Sequence, residues 1–156
     1  MKEIALTQGK FTIVDDEDFE WLNQWKWHFN KGYALRNVWI NKKCITILMH
    51  SLIAKTPAGM DTDHIDLNKL NNTKKNLRFC SHAENNKNKA KHKNNKSGYK
   101  GVYWRKSSKR WLASILADGK KIFLGSYEKI EDAANAYNKA AEKYHGEFSC
   151  LNSTDF

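Results

Sequence analysis

The sequence predicts an α+β chain in two parts. A strand, loop, strand and helix with an α/β extension ahead of them come first, and a three-stranded antiparallel sheet packed on one helix comes second. Three observations carry that expectation. Residues 61–88, DTDHIDLNKLNNTKKNLRFCSHAENNKN, read as two short strands around an Asn-rich loop, then a helix start. Residues 97–147 place Asp118-Gly119 between two strand-like runs, followed by apolar residues at spacings of three and four. Between them NKNKAKHKNNK, residues 86–96, is biased to Asn and Lys.

The 156 residues suffice for one ordinary domain or two small ones, each with a modest core. The net charge of +10 lies mostly beyond residue 84, and no acidic residue occurs from Asn85 to Ala117. Such a stretch gathers polyanions and supplies phosphate contacts. A membrane partner would need an amphipathic apolar face that is not evident, so nucleic acid is the expected partner and a membrane is not. Cys44, Cys80 and Cys150 are odd in number and form no CxxC pair, which argues against a disulfide framework or a zinc knuckle. They read as small core hydrophobes in a reducing compartment. MKEIALTQGK lacks a signal-peptide run and no stretch could span a bilayer, so a cytoplasmic protein is expected.

In chain order, Phe11 to Val14 reads as a strand. DDEDFEWLNQW reads as a helix whose acidic start opposes the positive end of its dipole, a cap rather than a metal site. Phe19, Leu22 and Trp25, with Trp21 nearby, recur at helical spacing. Trp27 to Phe29 and Tyr33 to Asn37 flank a Lys31-Gly32 turn and form a hairpin. Four of the six tryptophans precede residue 60 and are expected in the core rather than against bases. Cys44 to Leu48 is a further strand and Met49 to Ala54 a short helix, ended before Pro57 and Gly59. His50 on that helix either approaches the Asp-His pair downstream or is a hydrogen-bonded structural histidine, the reading favoured here.

Thr62 to Asp66, Leu67 to Lys75 and Asn76 to Cys80 are the first strand, the loop and the second strand of the central stretch. Ser81 is placed to cap the helix and Glu84 to complete a capping box, which puts Asn85 in the first helical turn. Asp63, His64, Asn76 and Asn85, with the phrases DHID, NN, NLR and ENN, make this stretch resemble the HNH nuclease family. The resemblance implies a ββα-metal core, with a strand-end Asp-His, a central Asn and a third position on the helix. That third position is Asn85 rather than His, which favours a hard, oxygen-seeking ion over zinc. Asp63 and Asn85 would then hold one Mg²⁺ or Mn²⁺ ion per site. His64 would be the general base on the attacking water, a role open to neutral imidazole near its ordinary pKa of about 6.5. Asn76 would orient the His64 ring or brace the loop. Adjacent strand residues point to opposite faces, so Asp63 and His64 can serve one phosphate only if the strand twists or ends there.

The expected divisions are 1–60 as an extension packed on the nuclease core, 61–92 as that core, 93–96 as a basic linker and 97–156 as a carboxyl-terminal domain. Asn86 to Lys96 reads as a helix end entering a flexible linker. Its Lys87, Lys89 and Lys91 are expected on DNA phosphates, adding affinity without sequence preference.

Gly101 to Arg105, Trp111 to Ala117 and Lys120 to Gly125 are expected strands. Ile130, Ala133, Ala134, Tyr137, Ala141 and Tyr144 stripe the following helix, which stops at Gly146. Alternation turns Trp111, Ala113 and Ile115 toward that helix and Leu112, Ser114 and Leu116 away from it. YKGV, W-x-A-x-I, FLGSYE and EDAANAYNKAA make this part resemble the Apetala or ethylene-response-factor type of DNA-binding domain. The resemblance implies strand-based readout of the major groove through Lys100, Tyr103, Arg105, Ser114, Lys121 and Phe123. Tyr103 and Leu116 stand where that family commonly has arginine, and Phe123 where it has tryptophan, so fewer bidentate guanine contacts are expected.

Together these features point to a metal-dependent DNA endonuclease similar to phage or mobile-element homing enzymes. It would act on double-stranded DNA as a monomer or homodimer, without a protein partner, in a bacterium or phage-infected host. The alternative is a regulatory or architectural DNA-binding protein with a vestigial nuclease scaffold, and RNA is a third possible substrate.

Overall fold

In the computed structural model of the chain, residues 1–153 are described. The chain divides into two compact units, Met1–Asn85 and a second that begins at Asn86, ahead of the linker expected at 93–96. Both are mixed α and β, built on small antiparallel sheets.

In the first unit β1 (Lys2–Ala5) pairs with β2 (Phe11–Val14). Only Ile4 of β1 is buried, so its sequence shows little of the alternation that marks a strand. α1 (Asp16–Asn23) opens with Asp16, Glu17 and Asp18 in its first turn, as the dipole favours, and buries Leu22. β3 (His28–Asn30), β4 (Tyr33–Ile40) and β5 (Lys43–Leu48) follow as one sheet in that order. α2 (Met49–Ala54) then leads to β6 (Asp61–His64), which pairs with β7 (Leu77–Cys80), and α3 (His82–Lys87) comes next.

Ile4, Val14, Leu22, Trp27, Ala34, Met49 and Ile53 form the core of this unit, and Leu70 and Leu77 pack against it. Full burial of a side chain such as Leu22 or Met49 contributes about 2 kcal/mol. Residues 1–60 thus share one core with the β6–β7 hairpin. The loop between β6 and β7 is fastened to β2 by its backbone: Ile13 N donates to Leu70 O and Asn72 N to Ile13 O, both at 2.8 Å.

In the second unit β8 (Val102–Arg105), β9 (Arg110–Ala117) and β10 (Lys120–Tyr127) form an antiparallel sheet with β9 in the middle. Asp118-Gly119 turns between β9 and β10 with φ of 49° and 73°, the left-handed pair a two-residue hairpin requires. α4 (Ile130–His145) lays Ala133, Ala134, Tyr137 and Ala141 against Val102, Ala113, Ile115 and their neighbours. Gly101 sits at φ +75°, where a Cβ would fall 2.1 Å from Cδ2 of Tyr137, so no larger residue fits the approach of sheet to helix.

Four expectations are corrected. Trp39, one of the four tryptophans expected in the core, is exposed near the tip of the β4–β5 hairpin. Of the cysteines only Cys80 is buried, its thiol pushed up to about 11 by burial and nearby carboxylates, while Cys44 is exposed and Cys150 half-buried. The first central strand ends at His64 rather than Asp66, because the chain turns there: Leu67, at φ 64°, donates its N–H to His64 O. Leu112 and Ser114 face away from α4 by alternation yet are buried, so the far face of this sheet is not uniformly solvated. No helix among the described residues is long and apolar enough to cross a membrane.

Candidate functional site

Strand β6 delivers Asp63 and His64, both buried, at its carboxyl end. His64 is the last residue of the strand, so one of the two conditions for Asp63 and His64 to serve one phosphate, a strand end, is present. Helix α3 carries Asn85 and starts where expected. Ser81 N donates to Glu84 Oε2 at 2.8 Å and Glu84 N to Ser81 Oγ at 3.2 Å, a complete capping box.

The His64 ring is held through its Nε2, 3.1 Å from Asn72 Oδ1. The direction of that bond follows from its neighbours. Thr12 Oγ1 lies 2.8 Å from Leu70 O, a pure acceptor, so the hydroxyl spends its one proton there. It must therefore accept from Asn72 Nδ2 at 2.7 Å, which fixes the amide with Oδ1 toward the histidine. That oxygen only accepts, so Nε2 carries the proton and the neutral ring keeps its lone pair on Nδ1. Asn72 and Thr12 are fully buried. Neither was a candidate from sequence. Asn72 stands in the NN phrase, but Thr12 is 60 residues away and nothing local marks it.

Two rings lie against the imidazole. His50 on α2 meets it edge to face at 5.0 Å between centroids, and Tyr33 lies at 6.2 Å. Of the two prospects for His50, the sequence reading favoured a hydrogen-bonded structural histidine; the structure brings its ring against His64. Lys69 Nζ sits 4.1 Å above the Tyr33 ring. Burial, followed by the charges of His64 and Lys69, lowers His50 to about 4. Burial also holds His64 below its ordinary value, against the opposing pull of the Asn72 bond and of Asp66 and Asp63. Both rings are thus disposed to be neutral near pH 7.

Asn76 does not reach the ring in any of these bonds. Its Oδ1 accepts from Asp66 N at 3.0 Å, and its Nδ2 donates to Asp66 Oδ1 and Asn71 O, each at 2.8 Å. Of its two expected roles, loop bracing is what the geometry supplies, and ring holding falls to Asn72. Burial raises Asp66, but hydrogen bonds from Asn71, Asn76 and the Asn68 backbone outweigh it and hold the carboxyl below its usual range.

Asp63 lies across the hairpin from Arg78, whose Nε and Nη2 donate to Asp63 Oδ2 at 3.0 and 2.8 Å. Asp61, two residues earlier on the same strand face, accepts at Oδ2 from Asn85 Nδ2 and pairs with His82 Nδ1, each at 3.1 Å. The first bond uses the donor end of the Asn85 amide, so Oδ1 is the atom that could serve as a ligand. Among the described residues no three His, Cys, Asp or Glu side chains gather around a point that could hold an ion. The bonds place Asn85 against Asp61 and Asp63 against Arg78, so an ion held by the expected Asp63 and Asn85 would have one carboxylate and one amide oxygen from the chain, with substrate and water oxygens beside them. That all-oxygen set suits magnesium or manganese and fits zinc poorly. Arg78 and Asp61 were not singled out from sequence, although Arg78 lies inside the NLR phrase.

In the second unit Arg105, Lys121, Phe123 and Tyr103 are exposed on the sheet, with Lys121 Nζ 4.9 Å from the Tyr103 ring. Two expected contacts are otherwise engaged. Ser114 is buried beside Gly101, to whose carbonyl its N–H donates, and the half-buried Lys100 donates from Nζ to Lys87 O at 2.7 Å. Burial lowers the Lys100 ammonium below its usual value. Lys89 Nζ bonds Asn86 Oδ1, Lys91 Nζ donates to Gly98 O at 2.6 Å, and Asn88 is buried. Side-chain hydrogen bonds thus run within residues 86–100, the stretch that includes the expected linker.

Comparisons with known proteins agree with this division. A family model described as HNH endonuclease matches residues 55–87, and one described as AP2 domain matches residues 97–147. An uncharacterized HNH endonuclease of Acanthamoeba polyphaga mimivirus is 30% identical over 154 residues, 96% of this chain and 78% of that protein. Protein 3.8 of Escherichia phage T7 is 38% identical over 93 residues, 60% of this chain and 76% of the phage protein. An AP2-like ethylene-responsive transcription factor of Arabidopsis thaliana is 38% identical over 50 residues, 32% of this chain but 10% of the plant protein. No solved structure matches the chain.

Proposed function

The chain belongs to the HNH endonuclease family and carries an AP2 domain, and from that premise we propose that it is a metal-dependent endonuclease that hydrolyses phosphodiester bonds of duplex DNA. The observation that carries the reading is the bonded series from Leu70 O through Thr12 and Asn72 to His64, which keeps a lone pair on His64 Nδ1. In that role His64 removes a proton from the water that attacks phosphorus. Asp63 and Asn85 are the residues that would hold the ion, Asp61 orienting the Asn85 amide. When bound, a divalent cation supplies Lewis-acid stabilisation of the phosphate and of the leaving oxygen. Asn76 keeps the loop in register, and Tyr33 and His50 exclude water from one side of the base. On this reading β6, β7 and α3 are a ββα-metal core. Tyr103, Arg105, Lys121 and Phe123 present a strand face to the major groove, as β-sheet readers do.

A second reading rests on Arg78. A carboxylate already neutralised by a guanidinium has less need of a cation, and this favours a DNA-binding protein that keeps the nuclease fold as scaffold. Nicking of supercoiled plasmid with and without Mg²⁺, by the parent and by Asp63→Ala, separates the two. The nuclease reading expects ion-dependent nicking that the substitution abolishes while duplex binding persists. A parent that binds duplex but never nicks it with Mg²⁺ or Mn²⁺ would leave the scaffold reading standing.

A further inference from the structure

Neither family model reaches residues 1–54, and within them the β4–β5 hairpin stands apart. Its strands stay paired out to Ile40↔Lys43, joined by Asn41-Lys42. Its outer part is exposed: Trp39 is 74% exposed, and Ile40, Asn41, Lys42, Lys43, Cys44, Ile45 and Thr46 are all solvent-facing. No acidic residue occurs between Glu20 and Asp61, a span that carries Lys26, Lys31, Arg36, Lys42, Lys43 and Lys55.

The turn adds an independent observation. Three two-residue hairpin turns occur among the described residues: Lys31-Gly32, Asn41-Lys42 and Asp118-Gly119. Both residues of each lie at positive φ, and in two of them the second residue is glycine. At the tip of β4–β5 that place is held by Lys42 at φ +63°, a conformation that disfavours a side chain. Lys42 in place of glycine, with Lys43 beside it, sets two cations at the end of the hairpin.

The two faces of the hairpin differ. Register and alternation put Asn37, Trp39, Cys44 and Thr46 on one face, where Thr46 Oγ1 donates to Asn37 Oδ1 at 2.9 Å, a bond that does not use the Asn37 amide hydrogens. Arg36, at the root of the other face, stacks its guanidinium 3.9 Å above Trp25. An exposed indole beside an amide donor, with lysines at the tip, has the form of a β-ribbon that enters a DNA groove. A second copy of the chain fits less well, because a symmetric pairing of tips would set Lys42 and Lys43 against their own kind.

We propose that the β4–β5 hairpin is a third DNA-contacting element, with the Asn37–Trp39–Thr46 face against the bases and Lys42 and Lys43 on the phosphates. This rests on the reading of the chain as a DNA enzyme. The test is binding of the full chain to a labelled duplex in EDTA, by fluorescence anisotropy across a salt series. The variants are Lys42→Gly with Lys43→Gln, which relaxes the turn while removing charge, and Trp39→Ala. The lysine variant is expected to bind roughly tenfold more weakly and to lower the slope of log K against log salt by about 2. Trp39→Ala is expected to weaken binding with the slope unchanged. Parent affinity and slope in both variants would overturn the hairpin assignment alone. So would loss of a parent dimer in sedimentation, with DNA affinity kept, since that assigns the hairpin to a second copy. A parent that binds no duplex at all overturns the nuclease reading and the hairpin with it.

Discussion

Asn72 Oδ1 accepts a hydrogen bond from His64 Nε2 at 3.1 Å, and the amide is held in that orientation by Thr12, on a strand 60 residues away in sequence. Replacing Asn72 by Leu leaves a buried N–H unpaired, at about 1–3 kcal/mol, and frees the ring to take the other tautomer. The expected result is a loss of cleavage rate on the order of 10²-fold at saturating DNA. Thr12→Val is expected to do the same more weakly, with the ring ¹⁵N spectrum of His64 reporting a mixture of tautomers. An unchanged spectrum and rate in Asn72→Leu would remove the amide from the account.

The His64 pKa is lowered from 6.5, chiefly by burial. A lowered value keeps the ring neutral to lower pH, so the acidic limb of the rate profile is expected below pH 6.5, with rate rising as pH rises through it. Single-turnover rates from pH 4.5 to 8 measure the limb, and one centred above 6.5 would contradict the environment described.

The linear pattern exposed much of this arrangement and left out what crosses it. Ser81 and Glu84 sit three apart, and their reciprocal bonds are as local as the signal that announces them. Asp118-Gly119 and the α4 stripe belong to the same class, since periodicity and turn chemistry act over a few residues. Asn72 is different, because its partner Thr12 lies on a strand whose pattern says nothing of a loop 60 residues on. The burial of Lys100 was hidden for the same reason: its ammonium meets the backbone of Lys87, and a carbonyl leaves no trace in sequence. Alternation assigned Ser114 and Leu112 the correct face but could not say that this face is covered there.

Arg78 and Asp63 form a part-buried pair, with side-chain exposures of 14% and 6%. Removing one partner of such a pair is expensive, so Arg78→Ala is expected to lose roughly 3 kcal/mol in urea denaturation without metal. If Asp63 also serves a cation, saturating Mg²⁺ should restore part of that loss in the variant and add less to the parent. Equal stabilisation of both by Mg²⁺ would argue that Arg78 and the ion do not share the carboxylate.

His50 is lowered from 6.5 to about 4, mainly by burial. Between those values the unfolded chain binds a proton that the folded state refuses. Stability therefore rises with pH across that window, and as pH falls through it the chain loses roughly 3 kcal/mol. Urea midpoints of the parent and His50→Phe at pH 4.5 and 7 check this, the variant being expected to lose less on acidification.

Arg105 and Lys121 are exposed on the sheet of the second unit, and neither is among the residues proposed for chemistry. Arg105→Ala and Lys121→Ala are each expected to weaken duplex binding, with a smaller salt slope, while the single-turnover rate at saturating DNA stays near the parent's. A collapse of that rate would deny the division between holding and cutting.

The central claim is that a neutral His64, proton on Nε2, accepts a proton from the attacking water. Single-turnover nicking of supercoiled plasmid at saturating enzyme and Mg²⁺, parent against His64→Ala, tests it most directly. A fall of about 10²–10⁴-fold with unchanged duplex affinity is predicted; nicking by the variant at the parent rate would contradict it.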